Sequence, residues 1–279
     1  MKVKKHMHKK IAALLIFLIV AGCAHQNQTV SDSSEYSTVE MKLGEAIHHQ
    51  ILQALTVHKD EELNRYVQSI GGKLATAAGR KDLVYRFVIL RDDRIYATHA
   101  PGGYVYLTTG FFRFLTSEIE LAGILAEEIA LLQYKDPRLS KAKKAFELLL
   151  QTGSYVGPAF GSIGALSLLG FALIGNAAYG EKSLIERTRA ADKKALHYMV
   201  QSGFDPQGFI DPLRRMMDPM NPYRAYLYDY LQSHMVSGDR FSRLDQEFQK
   251  LALGGKQFDA HRDVYLTMTE SVRNTFQRK

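Results

Sequence analysis

The stretch GILAEEIALLQYKD, residues 123–136, sets two adjacent carboxylates, Glu127 and Glu128, inside a run that is apolar at helical spacing. On a helix, Leu121, Ile124, Leu125, Glu128, Leu131 and Leu132 share one stripe, so Glu128 interrupts a core-facing side. Glu127 lies one step round, on the side of Leu131. An isolated buried carboxylate is costly, so each must be partnered, protonated or placed at a cleft. The expectation is a pair that rims a cleft, hydrated or salt-bridged, with Glu128 open to protonation near neutral pH through desolvation.

Other residues able to hold a cation are scattered. From Cys23 onward the histidines are His25, His48, His49, His58, His99, His197, His234 and His261. No two are three or four apart, so no helix presents a histidine pair to one ion. A set built on Glu127, with Glu128, Asp192 and His234, would be rich in oxygen and would suit Mg²⁺, Ca²⁺ or Mn²⁺ better than Zn²⁺.

The elements that must position these groups are legible from periodicity. Helical spacing runs from about residue 39 to 78, first through Leu43, Ile47, Ile51 and Leu55, then through Leu63, Tyr66, Val67, Ile70 and Leu74, and AAGRKD ends it. The period then changes. VYRFVIL (84–90), RIYATHA (94–100) and GYVYLTT (103–109) read as strands, with Pro101-Gly102-Gly103 turning the chain between the last two. The helix that carries the carboxylates starts near Thr116-Ser117, where Ser117 and Glu120 form a capping-box pattern. Residues 148–180 hold no charge and are rich in Gly and Ala. Their length permits a membrane span, but Pro158 and the glycines favour a buried helical hairpin. Residues 181–279 read as mostly helical. The fold class is therefore α+β, mostly helical, with a small sheet of about three strands.

The N-terminus reads as a targeting segment. Lysines at positions 2, 4, 5, 9 and 10 precede the apolar run IAALLIFLIV and then Val20-Ala21-Gly22-Cys23. This resembles a bacterial lipobox, which implies a signal peptide over residues 1–22 and lipidation of Cys23, the one cysteine of the chain. Residues 24–38 are polar and are expected to form a flexible tether, with the folded domain over 39–279. Ala24 after the cysteine leans toward the outer membrane, facing the periplasm. The net charge of +7 resides mostly in those five lysines, leaving +2 from Cys23 onward, so no nucleic-acid partner is expected.

Three segments in order, HAPGGYVYLTTGFFRFLTSEIELAGILAEEIA, AADKKALHYMVQSGFDP and SHMVSGDR, resemble the zinc metallopeptidases of the HtpX and CAAX-prenyl-protease type, in particular their periplasmic lipoprotein members. The resemblance covers roughly residues 40–245 and implies a zincin-like fold. In that family a strand ending in P-G-G and an aromatic strand precede a helix bearing H-E-x-x-H. Two histidines at i and i+4 bind zinc, the glutamate between them is the general base, and a glutamate of a later helix completes the site.

Carried onto this chain, the first histidine position is Glu127, the base position is Glu128, the second histidine position is Leu131 and the third ligand position is Thr188. A neighbouring acidic position of some relatives is Ala190. Asp192 matches the acid that orients a metal-bound histidine, and His234 matches the histidine of a His-Pro motif, with Met235 in place of proline. Without zinc, His234 is expected to be a hydrogen-bonding core or cleft residue, and Asp192 to pair with Lys193, Lys194 or Arg189, or to face solvent. The resemblance further implies that Gly102, Gly103, Tyr104 and Tyr106 line a cleft edge where a peptide can add as a strand. No metal or cofactor is expected. The expected function is that of a catalytically inactive metallopeptidase-like envelope lipoprotein that binds polypeptide or an envelope complex through the former active-site cleft. Alternatives are an active metalloendopeptidase with a non-standard metal site, and a structural envelope lipoprotein.

Overall fold

A computed structural model describes residues 33–134 and 181–274. The signal segment, Cys23, most of the expected tether and the uncharged stretch 148–180 lie outside the described residues. All packing discussed below falls within residues 37–274. Among the described residues, no helix is long and apolar enough to cross a membrane.

Helix α1 (Ser33–Ala54) starts six residues before the expected domain boundary, within the segment expected to be a tether. Helix α2 (Glu61–Ala78) is capped by Asp60, whose side chain accepts from the Leu63 N–H, and it ends at Gly79. Its apolar stripe is the expected one, with Leu63, Val67, Ile70 and Leu74 buried.

The strands are β1 (Arg86–Leu90), β2 (Ala97–Ala100) and β3 (Tyr104–Thr108). They form a sheet in the order β1-β3-β2, with β3 parallel to β1 and antiparallel to β2. The turn between β2 and β3 is a short 3₁₀ segment, Pro101–Gly103. Gly102 and Gly103 there have φ of 77° and 91°, which a residue with a Cβ rarely adopts. This turn is as the sequence implied. The placement of Tyr104 and Tyr106 is not. Strand β3 is the central strand, hydrogen-bonded on both sides, so it offers no edge to a peptide. Tyr106 is fully buried, Tyr104 nearly so, and Gly102 and Gly103 are buried as well. The two rings stack on each other, and His48 of α1 stacks on Tyr104 and lies 3.1 Å from the Tyr106 hydroxyl. The alternating aromatic pattern therefore reports packing.

After the short helix α3 (Thr109–Phe114) comes α4 (Glu118–Leu132), which carries the glutamate pair. Ser117 caps α4 by accepting from the Glu120 N–H. The other half of the expected capping box is shifted by one residue. Glu120 accepts from the N–H and hydroxyl of Thr116 and pairs with Arg215, which supplies a stronger partner than the cap N–H alone. Helix α4 is buried on nearly every side and forms the centre of the domain. It packs on α2, on β2 and on two later helices, α5 (Glu181–Gln201) and α6 (Gln207–Met217). Close approach of α4 and α6 depends on Gly123, where a Cβ would meet the Phe209 Cα at 2.5 Å. Helices α7 (Arg224–Ser233) and α8 (Gly238–Gln249) follow, then the short α9 (Arg262–Met268) and α10 (Glu270–Asn274).

Candidate functional site: a closed ionic network

Of the two states expected of the glutamate pair, hydrated or salt-bridged, the structure shows the second, in the interior rather than at the rim of a cleft. Glu127 is 1% exposed and Glu128 is 0% exposed, and the two side chains serve separate sets of partners. Glu128 lies between two histidines. His99 Nδ1 of β2 is 2.7 Å from Glu128 Oε2, and His234 Nε2, just past α7, is 2.8 Å from Oε1. The Nε2 of His99 in turn lies 2.7 Å from Arg187 Nη2 of α5.

These contacts define protonation states. Arg187 can only donate, so His99 Nε2 accepts, and the proton of His99 is on Nδ1 facing Glu128. His99 is then neutral. Burial lowers its pKa, opposed by Glu128, with Arg187 and His234 adding to the fall. His234 offers Nε2–H to Glu128, while its Nδ1 lies 2.9 Å from Ser233 Oγ. That hydroxyl lies 2.8 Å from the Asp229 carbonyl, and the Tyr230 carbonyl lies 3.3 Å from the same ring nitrogen, an acceptor-rich setting that favours the imidazolium. Burial alone would lower the His234 pKa, but the charges of Glu127 and Glu128 outweigh it and raise the value. For Glu128, burial pushes upward, and the His234 charge with the two histidine hydrogen bonds overrides it, holding the carboxyl at about 2. The expected protonation of Glu128 near neutrality is thus corrected: desolvation is present, but paired donors win.

Glu127 forms the second half of the network. Its Oε2 accepts from the Tyr230 hydroxyl at 2.7 Å, and its Oε1 accepts from Arg240 Nη2 at 2.5 Å. Tyr230 stacks on His234 with ring centroids 3.9 Å apart, which joins the two halves. Asp192 is 3% exposed and pairs with Arg240, at 2.6 Å from Nη2. This corrects the expectation of solvent or of Lys193, Lys194 and Arg189 as partners. The sequence neighbours point elsewhere on α5, whereas Arg240 reaches Asp192 from α8. Burial raises the Asp192 pKa, and Arg240 opposes it by donating to both carboxylate oxygens.

Leu131 and Thr188, the other two degenerate ligand positions, are both buried. The zinc of the resembled family does not fit this set. The carboxylate at the first position is bonded to a guanidinium, the second position is hydrocarbon, and the third offers one hydroxyl. Among the described residues, no three His, Cys, Asp or Glu side chains are grouped so as to hold a metal ion. Sequence reasoning brought Glu127, Glu128, Asp192 and His234 together, and the structure places them so. It missed His99, Tyr230, Arg187 and Arg240 as members. His99 and Arg240 stand within the HAPGG and SHMVSGDR segments, so their places in the motif order were the available signal. Tyr230 and Arg187 carried none.

A central helix with two acidic residues at the zinc-helix position, set between a three-stranded sheet and helices bearing Asp192, His234 and Arg240, defines a metallopeptidase-type domain with an altered centre. The chain belongs to peptidase family M48, which it matches over residues 61–248. It is 26% identical to the beta-barrel assembly-enhancing protease of Escherichia coli K12, over 95% of this chain and 57% of that protein. It is 28% identical to the protein of that name from Yersinia pestis, over 73% of this chain and 42% of that protein. The chain thus spans about half the length of these curated relatives.

Proposed function

We propose that this protein is a catalytically inactive, peptidase-like lipoprotein of the cell envelope that holds extended polypeptide beside the former active site. The observation that carries the reading is the state of Glu128. Both oxygens of the residue at the general-base position are taken by His99 and His234, and the side chain is sealed from solvent. A general base must reach the proton it removes, directly or through one water, and this carboxylate has no such access.

The sheet suggests where a polypeptide would lie. The outer side of β1 is sealed: Gln68 bonds the Tyr85 carbonyl and the Phe87 N–H, and the His58 N–H bonds the Ile89 carbonyl. On β2, the Thr108 N–H bonds the Tyr96 carbonyl, so Tyr96, Thr98 and Ala100 face β3 and the backbone of His99 faces outward. An extended segment would have access only at His99, the one partly exposed residue of β2, since Ala97, whose backbone faces the same way, is fully buried; there it would lie beside the Glu128 network, with main-chain hydrogen bonds supplying affinity. This edge replaces β3 as the docking strand. The names of the relatives tie them to β-barrel assembly, and a strand-forming envelope protein would suit an edge of this kind. Anchoring through a lipid on Cys23 would place the domain in the periplasm at the outer membrane.

The test is photo-crosslinking of the purified protein to a fluorescent unfolded polypeptide, with the photoreactive residue at Pro101, at the end of β2, or at Val84, which is 62% exposed beside β1. Crosslinks from Pro101 and none from Val84 support the reading. Equal yields from both, or none, sink it.

A further inference from the structure

One side chain in the network contacts four of the helices around it. Arg240 is 1% exposed. Its Nη2 donates to Glu127 Oε1 of α4 at 2.5 Å and to Asp192 Oδ1 of α5 at 2.6 Å. Its Nε lies 3.2 Å from both Asp192 oxygens, and its Nη1 donates to the His234 carbonyl, at the end of α7, at 2.6 Å. The guanidinium also faces the Phe209 ring of α6, 5.7 Å from its centroid. The base of the side chain is fixed as well, because Ser237 caps α8 by accepting from the Arg240 N–H at 3.3 Å.

We infer that Arg240 is the resident cation of this domain, cross-linking α4, α5, α7 and α8 through Glu127, Asp192 and the His234 carbonyl, so that the fold needs no metal ion. A closed metal site joins separate segments by binding several oxygens or nitrogens to one positive centre. Arg240 has the same form: a permanent positive charge, three oxygen-bearing acceptor groups and nearly complete exclusion of water. The residue that makes this possible is Glu127. A histidine at that position would bring a ring without a permanent charge. Glutamate brings a carboxylate, and its second oxygen is fixed by Tyr230. The carboxylates of Glu127 and Asp192 could not share so small a buried volume without the cation between them. The inference stands whether or not the domain binds polypeptide.

The experiment is thermal melting of the purified protein, alone, with a chelator and with zinc chloride, beside three variants. The wild-type midpoint is expected to stay within about 1 °C under all three conditions. Arg240→Met strands two buried carboxylates and is expected to lower the midpoint by roughly 10 °C, or to prevent folding. Combining Glu127→Gln, Asp192→Asn and Arg240→Met removes all the charges together, and this variant is expected to fold and to regain at least half of that loss. Arg240→Lys keeps the charge but loses the fork of donors, and is expected to fall between wild type and Arg240→Met. A wild-type midpoint that drops several degrees in chelator overturns the inference. So does an Arg240→Met variant that melts with the wild type, or a triple variant no more stable than Arg240→Met.

Discussion

His234 and Glu128 face each other at 2.8 Å inside the domain, a charged imidazole against the carboxylate that occupies the general-base position. The contact joins the residue after α7 to the central helix α4 and leaves neither group open to solvent. In a working metallopeptidase the glutamate must address a metal-bound water. Here it addresses two histidines.

A pH dependence of stability follows. The Glu128 carboxyl is depressed to about 2, below its unfolded value of about 4.3, so its contribution is present above pH 4.3 and is lost as pH falls toward 2. The His234 pKa is raised, so its contribution is present below about 6.5 and is lost as pH climbs through the folded value. His99 is lowered and opposes it, losing stability as pH drops below about 6.5. Urea unfolding of wild type and Glu128→Gln from pH 3 to 8 checks this. The gap between the two is expected to narrow steadily below about pH 4.3. A gap that is constant or widens in acid would refute the assignment of Glu128 as an ionised member of the network.

Restoring the family's ligands should restore a metal site. Glu127→His, Leu131→His and Thr188→Glu together are expected to bind close to one zinc per chain, measured by mass spectrometry after washing. The helical positions of Glu127 and Leu131, with Thr188 buried on the neighbouring helix, are the basis. A folded triple variant without zinc would show that these positions do not converge on one point.

The packing of α4 on α6 gives a third prediction. A Cβ at position 123 would lie 2.5 Å from the Phe209 Cα and 2.7 Å from its backbone nitrogen. Gly123→Ala is expected to destabilise by about 1–3 kcal/mol, because backbone cannot rotate out of the way as a side chain can. Urea denaturation measures it, and an unchanged midpoint would show that the two helices separate easily.

Lipidation of Cys23 is checked by growing cells with a labelled fatty acid. Label in the wild-type protein that is lost in Cys23→Ala, together with recovery in the outer-membrane fraction, is the expected result. Equal labelling of both proteins would exclude the lipobox reading.

The parts of this fold that the sequence made legible are those governed by period and local chemistry. Leu63, Val67, Ile70 and Leu74 announced α2, and Pro101-Gly102-Gly103 announced the turn at positive φ. Strand order was not legible, because alternation in GYVYLTT is the same for a central strand as for an edge. The site was half legible. Glu127, Glu128, Asp192 and His234 could be set side by side from their motif order. Their partners could not, since Arg240 meets Glu127 across 113 positions of chain. Spacing along one helix says nothing about a cation arriving from another. The protonation of Glu128 was misjudged for the same reason: burial can be inferred from an apolar stripe, whereas the direct contacts of His99 and His234 with its two oxygens cannot.

The most direct test of the central claim is a cleavage assay. Purified wild-type protein and Glu128→Gln are incubated with an unfolded protein substrate, with zinc supplied, and new peptide termini are counted by mass spectrometry. The account predicts no cleavage above the no-enzyme control for either protein. Cleavage by the wild type that disappears in Glu128→Gln would contradict it and show Glu128 to be a working base.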